Sequence, residues 1–414
     1  MRSGYRLGRR FGWLWAAYGT SALGTWLAFG AFPLIALQVL HASPAEVATL
    51  SAVGAAAGAA VAVPLGPWVE FRRKRPVLIA TDLVRCAALL TVAAAFALGV
   101  LTFVQLLLVS VVVAASDIVF RAASGAYLKS LLPPEDLLVA NARFESTAWT
   151  ATVVGPPLGG AVTGLLGPVA TVVADAVSHL LSALGIRATG GHEAPPGRRA
   201  APRMRAGDLL DGWRYVLADA TLRPLLLHTA LFNGLVTAAS PLLAVLLLGR
   251  LGVAPWQYGL AFAAPSVGGL VGARLARPLV TRFGQHRVLV TAGTLRTLWP
   301  VGLAFPGPGT GGLLLVAGVE AGLILCCGVF NPVCATYRLE RTATGRVART
   351  LTAWTVTVRA TTALLTAVWG VLGGLLGLRT AIGLAGVLLL ATPLLLPRRD
   401  HCLKVETGTG HRLT

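Results

Sequence analysis

Four acidic residues stand inside long apolar stretches of this 414-residue chain, and their neighbours set the chemistry open to them. Asp117 and Arg121 are four residues apart, which puts them on one face of a helix where they can pair. Asp82 and Arg85, three apart, can do the same. Asp175 lies in "VADAVSHLLSA", and Glu320 lies in "LVAGVEAGLIL" with no basic residue within a helical turn. A charge at the centre of a bilayer costs roughly 2.5–3.5 kcal/mol on insertion scales, so such residues mark ion or substrate pathways. Their chemistry is charge pairing and reversible protonation. Glu320, without a local partner, is the best placed to bind and release a proton; Asp117 and Arg121 are the next candidates. Covalent catalysis finds no such set. His41, His192, His286, His401 and His411 fall in loops or the tail, and His179 and His228 stand apart from other catalytic side chains. The cysteines, Cys86, Cys326, Cys327, Cys334 and Cys402, lack zinc-type spacing and read as small apolar residues. No metal, cofactor or enzyme activity is expected, and no nucleotide-binding P-loop is present.

The elements that must hold these charges are membrane helices. The chain is 55% hydrophobic and 12% charged, with a mean hydropathy of +0.74; soluble domains carry about 25% charged residues. Twelve apolar runs of membrane-spanning length appear, near 12–38, 46–69, 77–99, 103–124, 145–166, 168–187, 222–248, 256–280, 287–305, 311–336, 351–376 and 380–397. The first run is too long for a cleavable leader. The 35 lysines and arginines fix the orientation. Only Arg250 and Arg379 fall in one set of loops, and Arg85, Arg121, Arg296 and Arg359 fall in or near spans. All the others occupy the termini and the alternate loops, so both termini are expected in the cytoplasm. The net charge of +19 then faces an anionic inner leaflet of the plasma membrane. Nucleic acid is excluded as a partner: the basic residues follow the loops, without the aromatic interleaving of a single-strand groove.

The chain repeats. "PLIALQVL" from Pro33 returns as "PLLAVLLL" from Pro241, and "VLIATDLVR" from Val77 returns as "VLVTAGTLR" from Val288. Gly159–Gly160 returns as Gly373–Gly374. Two six-helix halves are expected, 1–187 and 222–397, joined by a mobile cytoplasmic linker at 188–221 and followed by a tail at 398–414.

"GPWVEFRRKR" resembles the loop signature of the major facilitator superfamily. Gly66, Lys74 and Arg75 match it, and Glu70 stands at its acidic position. "GPPLGG", with Gly155, Pro156, Gly159 and Gly160, resembles the motif of the exporting, antiporter branches. "TSALGTW", "VLIATDLVR" and "LLPPEDLLVANA" are similar to macrolide-efflux and enterobactin-exporter proteins, although Thr25 stands where relatives often carry an acid. The resemblance implies an all-α integral membrane fold with twelve helices in two halves that rock about a central cavity. It makes Glu70, with Asp82 and Arg85, a conformational latch at the cytoplasmic side. It places Asp117, Arg121 and Glu320 on the spans that line the cavity. Trp26, Phe29, Phe232, Asn233 and Trp299 are candidates for an aromatic, lightly polar substrate surface. The expected activity is export of an apolar or amphiphilic small molecule (a drug, antibiotic or siderophore-like compound) in exchange for protons, by a single copy of the chain. Uptake through the same fold, and a membrane sensor without transport, are the alternatives.

Overall fold

The computed structural model describes residues 7–42, 44–190, 210–253, 257, 260–262 and 264–397. It is helical throughout these residues, with no strand among them. The tail at 398–414, with Cys402, and most of the linker lie outside the described residues.

The first helices are α1 (Gly8–Leu27), α2 (Ala31–Gln38), α3 (Pro44–Glu70), α4 (Lys74–Ala97), α5 (Phe103–Leu131), α6 (Pro134–Leu166) and α7 (Pro168–Ala188). A short α8 (Asp211–Ala218) precedes α9 (Leu222–Ala244), α10 (Ser266–Phe283), α11 (Gln285–Leu298), α12 (Thr310–Arg341), α13 (Val347–Leu376) and α14 (Leu378–Ala391). Local chemistry sets the breaks. Gly30, at φ 82°, separates α1 from α2, a left-handed conformation that glycine adopts without steric cost. Pro134 and Pro168 open α6 and α7 at the first turn, where a missing N–H is harmless. The two tightest expected turns each pivot on one glycine of positive φ, Gly167 before α7 and Gly377 before α14.

Eight segments among the described residues are long and apolar enough to cross a membrane. Two of the other expected runs fall at least in part on helices of mixed character: α6 carries Glu135, Asp136, Arg143 and Glu145, and α10 carries Arg274, Arg277 and Arg282. Large apolar side chains such as Leu98, Leu165, Leu375 and Leu394 are exposed. In a bilayer that face is solvated by lipid, and the helices satisfy their own backbone groups.

Helices α1 to α7 pack among themselves, most closely α4 on α7, α3 on α5 and α1 on both α6 and α7. In the later group α10 packs on α12, and α9 on α13. The groups meet where α3 and α5 lie on α13, and where α6 lies on α10 and α12. Two buried clusters straddle this seam. One joins Leu128 and Val119 to Leu339 and Leu351; the other joins Leu138 to Phe330 and Trp354. Both sit towards the end of the bundle that carries the Arg72–Arg75 turn, called here the basic end. The expected loose linker is in part anchored: within α8, Trp213 donates to Thr357 at 2.9 Å and Tyr215 donates to the Arg341 carbonyl at 3.0 Å.

The paired glycines differ within each pair. A Cβ on Gly159 would strike the Leu27 carbonyl, and one on Gly155 would strike Trp26, so α6 lies against the backbone of α1. Gly160 and Gly164 face open space. The second group repeats this: Gly373 abuts Leu242, and Gly374 faces open space. Small residues let membrane helices approach closely. Pro156 and Pro157 sit inside α6 without ending it.

Gly159→Ala is therefore expected to lower stability by about 1–3 kcal/mol through overpacking. Gly160→Ala is expected to change it by less than about 0.5 kcal/mol. Thermal unfolding of the two purified variants checks the contrast.

Candidate functional site

The site grows from Asp117, at the middle of α5. Arg121 donates Nε to Asp117 Oδ2 at 2.9 Å, the pairing its spacing predicts. Arg85 of α4 donates to Oδ1 at 3.4 Å, and Arg359 of α13 donates to Oδ2 at 2.5 Å. One carboxylate thus holds three guanidinium groups, and Arg359 comes from the other helical group. Arg85 is buried and lies over the Phe120 ring at 5.2 Å. Sequence reasoning placed Arg359 within a span without giving it a role. The rule that singled out Asp117, a charge inside an apolar run, applies to Arg359 equally.

Asp82 and Arg85 do not pair in the expected way. Arg85 reaches α5 instead, and Asp82 Oδ1 lies 3.3 Å from His179 Nδ1 on α7. The other imidazole nitrogen lies 3.5 Å from Asp175 Oδ1. Thr25 of α1 donates to Asp175 at 3.4 Å, and Ser21 lies 3.5 Å from His179. His179, read from sequence as an isolated packing residue, joins α1, α4 and α7. Asp82, His179 and Asp175 are all buried. These residues lie in the interior of the first helical group, away from the α3–α4 turn.

The α3–α4 turn itself bridges the groups. Glu70 Oε2 accepts the backbone N–H groups of Ala348 at 2.9 Å and Arg349 at 3.3 Å. A carboxylate there satisfies free donors in the first turn of α13 and matches the positive end of its dipole. Lys74 donates to the carbonyls of Val69, Glu70 and Arg72 at 2.6–2.9 Å and closes the end of α3. Arg75 donates to the carbonyls of Ile186 and Arg187 at the end of α7. Gly66 lies within α3. Other bonds cross the seam nearby. Lys129 donates to the carbonyls of Leu339 and Thr342, and Asn141 donates to Thr336 at 2.9 Å. Glu145 accepts from Asn331 at 2.7 Å and from Trp149 at 2.9 Å.

Glu320 stands apart. It is 9% exposed and has no hydrogen bond or ion pair among the described residues. It lines a cavity of about 110 Å³ with Ser240, Phe262 and Pro300, within the second helical group. The five aromatic and polar candidates have separate local contacts. Trp26, near the end of α1, lies 5.3 Å from Phe29 in the turn before α2. Asn233 donates to the Thr229 carbonyl at 2.8 Å, and Trp299 packs on Gly322. Phe232 is covered by Arg296, whose guanidinium lies 3.8 Å from that ring and 3.6 Å from Phe330. At 1% exposure this arginine is held by two aromatic faces. Among the described residues no group of three or more His, Cys, Asp or Glu is placed to hold a metal ion.

A second cavity, of about 270 Å³, lies on the seam between α1, α5, α6, α12 and α13. Arg121, one turn from Asp117, lines it, as do Tyr18, Asn141 and Arg338.

This arrangement, helices in two groups joined through a charged seam, belongs to a known class of membrane transporter. The profile of the Major Facilitator Superfamily matches residues 14–325, and the chain belongs to that family. An uncharacterised MFS-type transporter of Sinorhizobium fredii is 29% identical over 202 residues. That match spans 48% of this chain and 49% of the relative, about half its length. Among solved structures, a bacterial homologue of the iron transporter ferroportin in an outward-facing state superposes with a TM-score of 0.81 at 16% identity, covering 94% of this chain and 98% of that one. The Escherichia coli fucose:proton symporter superposes with a TM-score of 0.72 at 14% identity, covering 93% and 97%. At such identities the likeness concerns the fold.

A double-mutant cycle on Asp117→Asn and Arg359→Gln is expected to give a coupling energy of about 1–3 kcal/mol in denaturant unfolding. Asp117→Asn alone is expected to be the more damaging variant, because it leaves three guanidinium groups without a counter-charge. Equal, additive losses would remove Arg359 from the cluster.

Proposed function

We propose that this chain is a secondary transporter that exports an apolar or amphiphilic small molecule in exchange for protons. It works as a multi-pass protein of the plasma membrane, with the basic end in the cytoplasm and one copy carrying the whole path. The observation that carries this reading is the sharing of Asp117 between Arg121 on its own helix and Arg359 across the seam. Neutralising Asp117 would remove the attraction that draws α13 to α5 there. Glu70 on the first turn of α13 and Lys129 on the end of α12 would act as the latch of the same closed end. Their release on one side and re-formation afterwards is the two-state element that alternating access requires.

Two groups are candidates for the coupling proton. Asp117 would link protonation directly to the seam. Glu320 would link it to the packing of α9, the Trp299–Ala304 turn, α12 and α14 around its cavity. The export direction is supported by the GPPLGG segment, whose Gly155 and Gly159 hold α6 tightly to α1. The two halves, 1–187 and 222–397, would move as bodies on either side of the seam.

The test uses inside-out vesicles with an acid-inside pH gradient, an internal pH dye and a panel of macrolides, dyes and siderophores. The expected result is a substrate-dependent proton leak that Asp117→Asn or Glu320→Gln reduces to the rate of protein-free vesicles. A leak that survives both substitutions, or no leak from vesicles holding folded protein, contradicts proton antiport through these residues.

A further inference from the structure

The cavity on the seam has a one-sided electrostatic character. Arg121 and Arg338 both line it, and among the described residues no carboxylate does. Arg121 spends its Nε on Asp117, but its side chain remains 58% exposed. Arg338 forms no ion pair among the described residues; its Nε is buried without a hydrogen-bond partner, and its guanidinium stacks over Trp354 at 4.6 Å. The carboxylates nearby are already engaged. Asp117 serves three arginines, and Glu145 accepts from Asn331 and Trp149.

The rest of the lining is of two kinds. Tyr18 and Phe144 offer a ring pair, edge to face at 4.8 Å, with Leu128 and Leu351 beside them. Ser124 and Asn141 offer neutral polar groups. Guanidinium groups recognise planar or tetrahedral oxyanions through paired, charge-assisted hydrogen bonds. Keeping an uncompensated cation away from water is unfavourable, and an anion that enters relieves it.

We propose that this cavity binds an organic anion: its carboxylate, sulfonate or phosphate group between Arg121 and Arg338, and its apolar body against Tyr18 and Phe144. This narrows the substrate class given above. It rests on the transporter reading only in taking the bound anion to be the molecule moved.

The probe is naphthalene-2-sulfonate, compared with 2-naphthyltrimethylammonium and the neutral 2-acetonaphthone. Binding to the purified full chain in a neutral maltoside detergent is measured by titration calorimetry. The sulfonate is expected to bind and the ammonium compound to bind at least about tenfold more weakly. Arg338→Gln and Arg121→Gln are each expected to weaken sulfonate binding about tenfold, the scale of losing one charge-assisted hydrogen bond. Arg346→Gln, on the exposed turn before α13, is expected to leave it unchanged. Should Arg121→Gln unfold the protein, Ser124→Asp, which adds a carboxylate to the lining, is expected to abolish sulfonate binding with the fold intact. Equal binding of all three compounds, or sulfonate binding indifferent to Arg338→Gln and Ser124→Asp, overturns the proposal. Flux in vesicles separates the two readings. Transport of the ammonium compound without the sulfonate leaves the transporter and removes the anion site. Arginine-dependent sulfonate binding without flux under any gradient leaves the site and removes the transporter.

Discussion

Inside a bilayer a charge finds no water, so each buried ion must be answered by another group of the protein. Asp117 is where this constraint shapes the molecule most. One carboxylate answers arginines from α4, α5 and α13. The α4 and α5 contacts tie the first helical group together, and the α13 contact ties it to the second. Removing the carboxylate would strand three cations at once, whereas removing one arginine would leave two partners. The junction is therefore strong as a whole, yet dependent on a single group that can be neutralised.

The surrounding structure makes that junction reachable and reversible. Close glycine contacts hold α6 to α1, and the equivalent glycine of the second group, Gly373, abuts α9. These contacts stiffen each group internally. Between the groups the seam combines buried apolar clusters with polar bonds, such as Glu70 on α13 and Lys129 on α12. Carboxylate-to-N–H and ammonium-to-carbonyl bonds can exchange for water when a helix end moves into the interface, whereas a glycine-mediated backbone contact cannot be exchanged so easily.

Much of this was legible in the sequence, for physical reasons. Apolar run length predicts membrane helices because the bilayer fixes their length, and eight of the runs fall on helices long and apolar enough to cross a membrane. The Asp117–Arg121 pair followed from helical spacing. Asp82–Arg85 had spacing just as suitable, but Arg85 found its carboxylate on α5, since tertiary partners compete with local ones. The same competition hid His179, whose partners lie 97 residues away at Asp82 and 158 away at Ser21. Arg359 was visible as a charge in a span; its partner, 242 residues distant, was not. One aromatic candidate has a neighbour that spacing did not reveal. Phe232 looked free for a substrate, but its face is taken by Arg296, a cation that has no carboxylate ion pair among the described residues.

The central claim is that charge pairing at Asp117 holds the basic end of the bundle closed. The most direct measurement is the distance between spin labels at Arg9→Cys, on α1, and Arg282→Cys, on α10, in a background with the native cysteines replaced. Both positions are exposed, and they lie on different helical groups. The account predicts a dominant short distance at neutral pH, with a longer-distance population that grows when Asp117→Asn is introduced. A distance distribution that Asp117→Asn leaves unchanged, in protein that remains folded, would contradict it.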